Sequence, residues 1–181
     1  GKWVDGPGMQ LFDALTKALG TLPIIAEDLG VITPDVEVIR DKNKLPGMKI
    51  IQFAFHGDPK EAFLPHNHIN HCVVYTGTHD NDTSVGWYHS APAHEQEYMR
   101  LVAGVNEHTV DPAWDLIRLA WGSVANTAIA PLQDILSLPT SARMNYPGRL
   151  GGNWAWRFRF TDINDAMLER LKYLTIKFNR A

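Results

Sequence analysis

Two places in the 181-residue sequence gather side chains that could move protons or hold hydroxyl groups. In Ile24-Ile25-Ala26-Glu27-Asp28-Leu29-Gly30 a carboxylate pair follows an apolar run directly. If that run is a buried strand, Glu27 lies at its mouth. Partial desolvation there would raise its pKa and keep a proton available for a leaving group. In Val73-Val74-Tyr75-Thr76-Gly77-Thr78-His79-Asp80-Asn81-Asp82-Thr83 a second apolar run opens into two carboxylates, an imidazole and an amide. Such a cluster can hydrogen-bond several hydroxyls at once. Both places also have a plain structural reading, in which Glu27 or Asp28 caps a strand or pairs with an arginine and Asp82 or Thr83 caps the next helix. That reading leaves the joint arrival of His79 and Asp80 at a strand end unexplained.

The elements that must position these groups follow from hydrophobic period. Leu11, Phe12, Leu15, Ala18 and Leu19 recur at helical spacing between Gly6-Pro7-Gly8 and Gly20. Pro23 to Glu27 reads as a buried strand. Thr33, followed by Pro34 and Asp35, opens a helix to about Lys42. Strands are predicted over Met48 to Phe55, Cys72 to Thr76 and Thr127 to Leu132. Helices are predicted from Glu95 to Val102, from Ala113 to Trp121, and through Ile163, Met167, Leu168, Leu171 and Leu174. Alternating strands and helices imply βαβ units and a parallel sheet. About four strands make half of a closed (β/α)8 TIM-type barrel, whose usual length is about 250 residues. The expected fold is therefore α/β, with residues 1–181 forming one part of a barrel and no separate second domain. Sites in such barrels lie at the C-terminal ends of the strands, where Glu27 and Asp80 fall.

Two carboxylates on two strands of one barrel suit cleavage of a glycosidic bond, in which one group protonates the leaving oxygen and another stabilises an oxocarbenium-like transition state. The strings IIAEDLGVITPDVEVIRD, MKIIQFAF, PHNH, VVYTGTHDNDT and ARMNYPGRLGGNWAWRF occur in that order between about Trp3 and Phe160. Together they resemble the amylomaltase or disproportionating-enzyme family of 4-α-glucanotransferases. The resemblance implies an enzyme that moves segments between α-1,4-glucans and malto-oligosaccharides by a retaining double displacement, with no cofactor, and a chain forming the C-terminal half of its catalytic barrel. It implies that Glu27 is the general acid/base and Asp80 the transition-state-stabilising carboxylate. It further implies that His79 binds substrate hydroxyls, that Phe53 lines the sugar channel and that Asn145 touches a sugar. The family's nucleophilic aspartate has no match here, since Asp5 falls in a loop and Asp13 on a helix. It is expected upstream of Gly1, so the N-terminal half of the barrel is an expected partner and the isolated chain is expected to be inactive.

Other partners are disfavoured by composition. A net charge of −3, with no basic run interleaved with aromatics, argues against nucleic acid. Apolar runs such as Leu22 to Ala26 are far shorter than the roughly 20 residues of a membrane span. A single cysteine, Cys72, excludes an internal disulfide framework, and Gly1-Lys2-Trp3 is unlike a signal peptide, so a reducing, cytoplasmic setting is expected. Six Trp, seven Phe and five Tyr offer flat faces for sugar rings or for a core, and Trp154 and Trp156 are expected to pack inward. His66, His68, His71 and Cys72 have the density of a zinc site, but they precede a strand instead of ending one, and no metal is expected. Gly148, Gly151 and Gly152 open no helix and cradle no phosphate. Two other functions stay in view, a non-catalytic glycan-binding fragment and a metal-dependent barrel hydrolase built on the histidines.

Overall fold

A computed structural model describes residues 1–2 and 4–180. Trp3, where the resemblance begins, lies outside the described residues. The chain divides into two compact units, residues 1–48 and 49–181, and each is taken by itself.

The first unit carries helices α1 (Met9–Leu19) and α2 (Pro34–Lys42). Gly20 ends α1 with a φ of 74°, a conformation that costs a residue without Cβ nothing. At the start of α2 the Thr33 carbonyl accepts the Val36 and Glu37 N–H groups, and Pro34 occupies the position whose N–H would go unused. Asp35 and Glu37 sit at its positive end, Arg40 and Lys42 at its negative end. The run Pro23 to Glu27 was expected to be a strand and is not one. Ala26 donates to the Pro46 carbonyl at 2.9 Å, but proline has no N–H to return, so the ladder cannot be continued from that residue.

The chain passes from the first unit to the second along β1 (Gly47–Ile50). Among the described residues β1, β2 (Cys72–Tyr75) and β3 (Thr127–Ile129) form one sheet in that order, three strands where about four were expected. β2 and β3 are parallel, with Val73 opposite Thr127, Val74 opposite Ala128 and Tyr75 opposite Ile129. Their crossover contains α3 (Ser84–Ser90), α4 (Ala93–Ala103) and α5 (Pro112–Gly122). The predicted strand Met48 to Phe55 stops at Ile50, and Ile51–Phe53 turns as a 3-10 helix. Gln52 still donates to the Thr76 carbonyl, but Ala54 turns back to the Ile51 carbonyl. Ile50, Ile51, Gln52, Ala54 and Phe55 are all buried, and a run covered on every side has no period that separates strand from turn. The predicted strand Thr127 to Leu132 likewise ends at Ile129, because Pro131 precedes a short helix, α6 (Leu132–Ile135).

α5 organises the core. Leu116 and Ala120 join Ile51, Phe55, Val74, Tyr88 and Met99 on one side, while Trp114 and Ile117 meet Leu174 of α7 (Asp165–Lys177) on the other. Arg180, just past α7, donates to the carbonyls of Ala120, Trp121, Ser123 and Ala125, which closes the C-terminal end of α5.

Candidate active site

β2 ends at Tyr75, and the polar cluster forms a loop between that strand and α3. The loop is internally braced. The Asn81 side-chain oxygen accepts both the N–H and the hydroxyl of Thr78 at 2.8 Å, and Asp80 N–H donates to the Thr78 hydroxyl at 3.2 Å. Thr83 caps α3, its hydroxyl accepting Gly86 N–H at 3.1 Å, as its position before the helix predicts. Asp82 is spent on structure, with Oδ1 accepting Thr83 N–H and Oδ2 accepting the Thr140 hydroxyl. Gly77 lets Gln52 approach, since a Cβ there would lie 2.6 Å from the Gln52 amide nitrogen. That nitrogen donates to the Asp82 carbonyl at 3.0 Å.

His79 and Asp80 stand out from this frame, their side chains about half exposed. His79 Nε2 lies 3.3 Å from Asp80 Oδ1, and Asn145 Nδ2 donates to the same oxygen at 2.5 Å. Concentrating both contacts on Oδ1 leaves Oδ2 to accept from a ligand hydroxyl. Asn145, expected as a sugar contact, is thus a direct partner of Asp80, and its own N–H donates to the His79 carbonyl at 3.1 Å. Arg143 donates to the Asp80 carbonyl at 2.7 Å and the Asn145 carbonyl at 2.9 Å while its guanidinium lies over the Tyr146 ring. Trp154 does not pack inward as expected. It is 54 % exposed, with its ring centroid 5.0 Å from that of His79. Thr78, His79, Gln133, Asp134, Arg143, Met144 and Trp154 line part of a small cavity of about 130 Å³ behind the loop. Phe53, half-buried, packs edge-on against Phe63 with centroids 5.5 Å apart, and the structure does not bring it against Asp80.

Sequence reasoning missed Arg143, Trp154 and Asp134. Asp134 is 1 % exposed and accepts from the Thr76 hydroxyl at 2.5 Å, the Ser84 hydroxyl at 2.8 Å and the Ser84 N–H at 2.7 Å. Burial pushes its carboxyl pKa up, and the three hydrogen bonds pull against that. The available signal was a carboxylate following the apolar run at β3, the same pattern that singled out Glu27.

In the first unit the Glu27-Asp28 pair separates into two roles. Asp28 is nearly buried, pairs with Arg40 at 2.7 Å and accepts Met48 N–H at 2.7 Å, so it takes the structural part. Glu27 is exposed, and the desolvation predicted for it is not provided by this chain.

The histidine cluster does not assemble. His68 is buried with Nε2 on the Phe63 carbonyl at 2.9 Å, whereas His66 and His71 are exposed. The described residues hold no group of three His, Cys, Asp or Glu side chains placed for a metal ion.

Fold and site together define an α/β protein with an imidazole-carboxylate pair presented just beyond the C-terminal end of a parallel strand. The family model described as 4-alpha-glucanotransferase matches residues 1–162, and the chain belongs to that family. It is 49 % identical over 99 % of its length to the 4-alpha-glucanotransferase of Synechocystis sp., covering 36 % of that protein. It is 52 % identical over 87 % of its length to the 4-alpha-glucanotransferase of Thermus thermophilus, covering 33 % of it. Among solved structures, the amylomaltase from Streptococcus agalactiae in complex with acarbose matches 99 % of the chain and 36 % of its own, with a TM-score of 0.94 at 34 % identity. The chain spans about a third of the length of the curated relatives it matches.

Proposed function

We propose that these residues are the C-terminal half of a single catalytic (β/α)8 barrel in a 4-α-glucanotransferase, to which both units belong. The enzyme cuts an α-1,4-glucan or malto-oligosaccharide, holds the glycosyl group on an aspartate supplied by the preceding sequence, and passes it to a second glucan. Glu27 protonates the leaving oxygen and then activates the acceptor, and Asp80 stabilises the oxocarbenium-like transition state. His79 binds hydroxyls beside it, Phe53 lines the sugar channel, and Asn145 both orients Asp80 and faces the sugar.

One observation supports this reading above the others. Asp80 offers Oδ2 at a strand end while His79 and Asn145 hold Oδ1, an arrangement suited to hydroxyls whose hydrogen bonds strengthen as the ring flattens. The exposure of Glu27 fits a barrel mouth whose remaining wall is the N-terminal half, an obligatory partner in this proposal. A cytoplasmic setting is part of the proposal and rests on the single cysteine; no described helix is long and apolar enough to cross a membrane.

The experiment uses the full-length protein, glucose-labelled maltotriose and a chelator. Chelator-insensitive disproportionation, blocked by acarbose, is expected. Binding without turnover would reduce the protein to a glycan-binding module, and chelator-sensitive hydrolysis would revive a metal mechanism. Glu27→Gln should lower turnover of maltotriose by roughly 10²- to 10⁴-fold and spare the first step with a glycosyl fluoride, which leaves without a proton. Parent-like turnover of maltotriose by that variant would remove Glu27 from its role.

A further inference from the structure

We infer that Asp134 is a positioning residue that brackets the Asp80 loop against the neighbouring strand connection, an inference that rests on the proposed role of Asp80. The loop leaves β2 at Thr76 and enters α3 at Ser84, and both stems end on this one carboxylate through the Thr76 hydroxyl, the Ser84 hydroxyl and the Ser84 N–H. The bonds between Thr78 and Asn81 set the shape of the turn. They do not set where the turn sits relative to β3. At the strand end the Thr76 N–H does so on the Ile129 carbonyl at 3.3 Å, and Asp134, which belongs to α6, the helix that follows β3, adds a hold on both stems at once.

The adjacent residue extends the bracket. Gln133, also buried, donates to the Ala142 carbonyl at 3.3 Å, immediately before the segment that delivers Arg143 and Asn145 to Asp80. One short helix therefore holds both sides of the Asp80–Asn145 contact. A fully buried carboxylate is a costly way to fill space, and it is tolerated only when donors occupy its lone pairs. Here the donors are the two ends of the loop that carries His79 and Asp80.

The test is made in the full-length enzyme with maltotriose. Asp134→Ala should lower kcat by on the order of 10²-fold, the scale expected of a displacement of about 1 Å at a reacting group, with KM little changed. Asp134→Asn should recover most of the loss, since its Oδ1 can accept Ser84 N–H while its amide donates to the two hydroxyls, which rotate to receive it. In an Asp80→Asn background, Asp134→Ala should cost no more than about 2-fold further, because the group it positions is already impaired. Equal losses with and without Asp80, or a lowered melting temperature with kcat per folded molecule unchanged, would overturn the inference and leave Asp134 a core residue. Should Asp134→Ala not fold, Ser84→Ala and Thr76→Val carry the same coupling test. Hydrogen exchange at the Ser84 and Gly86 amides reads the bracket without turnover. Unchanged protection there in Asp134→Ala would also overturn the inference. An inactive parent enzyme would instead count against the proposed function.

Discussion

The carboxamide of Asn145 donates to Oδ1 of Asp80 at 2.5 Å, joining the loop after β2 to a segment 65 residues further along the chain. The bond occupies Oδ1 and leaves Oδ2 open, which under the role proposed for Asp80 is the oxygen that meets the sugar. Its removal should therefore be felt at the transition state more than in ground-state binding.

Asn145→Ala should lower kcat on maltotriose about 10-fold, the low end for a hydrogen bond to a carboxylate because Asp80 is half exposed. Steady-state kinetics on the complete enzyme decide the matter. A rise in KM with kcat intact would make Asn145 a simple sugar contact.

Arg40 is the counterion of nearly buried Asp28, and its hydrogen bonds to Asp41 and Asp28 hold its pKa above the ordinary arginine value. Arg40→Met would leave the Asp28 carboxylate without a cation and should cost about 3 kcal/mol of stability, read from denaturant unfolding. Gly47→Ala attacks the same group from the other side, since a Cβ there runs into the Asp28 carboxylate. A cost of about 1–3 kcal/mol is expected from the displacement. If both variants unfold at the parent midpoint, Asp28 does not anchor this part of the chain.

Burial lowers the pKa of His68 to about 4, against the opposing pull of the Phe63 carbonyl, while nearby Lys49 and His66 add to the lowering. Between that value and the unfolded value of about 6.5 the unfolded chain binds the extra proton, so stability rises with pH through this window and is lost as pH falls. The contribution should be on the order of 3 kcal/mol across it. His68→Leu should flatten the stability profile between pH 4 and pH 6.5, whatever constant cost it adds by stranding the Phe63 carbonyl. An unchanged slope would show that His68 is not the group that titrates.

Residues 1–181 expressed alone leave β1 and β3 as sheet edges, with Ile129 of β3 38 % exposed. Exposed edges recruit further strands, so self-association and no transferase activity are expected, measured by size-exclusion chromatography and maltotriose turnover. A soluble monomer that melts cooperatively and disproportionates maltotriose would show that this part is self-sufficient and that one of its own aspartates is the nucleophile.

The sequence by itself determined the helices that bury a stripe, because a 3.6-residue period survives as a pattern of residue types. α4, α5 and α7 lie where Glu95 to Val102, Ala113 to Trp121 and Ile163 to Leu174 place them, within a few residues. It also determined the family, since five motifs in one order are a property of the chain and need no coordinates. Strand ends were not legible in the same way. In Met48 to Phe55 nearly every residue is apolar or buried, so nothing in the pattern marks Ile50 as the last strand residue, and only the return of Ala54 to the Ile51 carbonyl does so. Nor could the sequence divide labour among its carboxylates. Glu27 and Asp28 are neighbours with similar chemistry, and Arg40 chooses between them; Asp134 follows an apolar run as Glu27 does, and only Thr76 and Ser84, 58 and 50 residues away, mark it as the anchored one. Those choices depend on separations of a few ångströms between distant parts of the chain. Hydrogen bonds lose their strength over such distances, so only the tertiary structure could decide which carboxylate is anchored and which stays exposed.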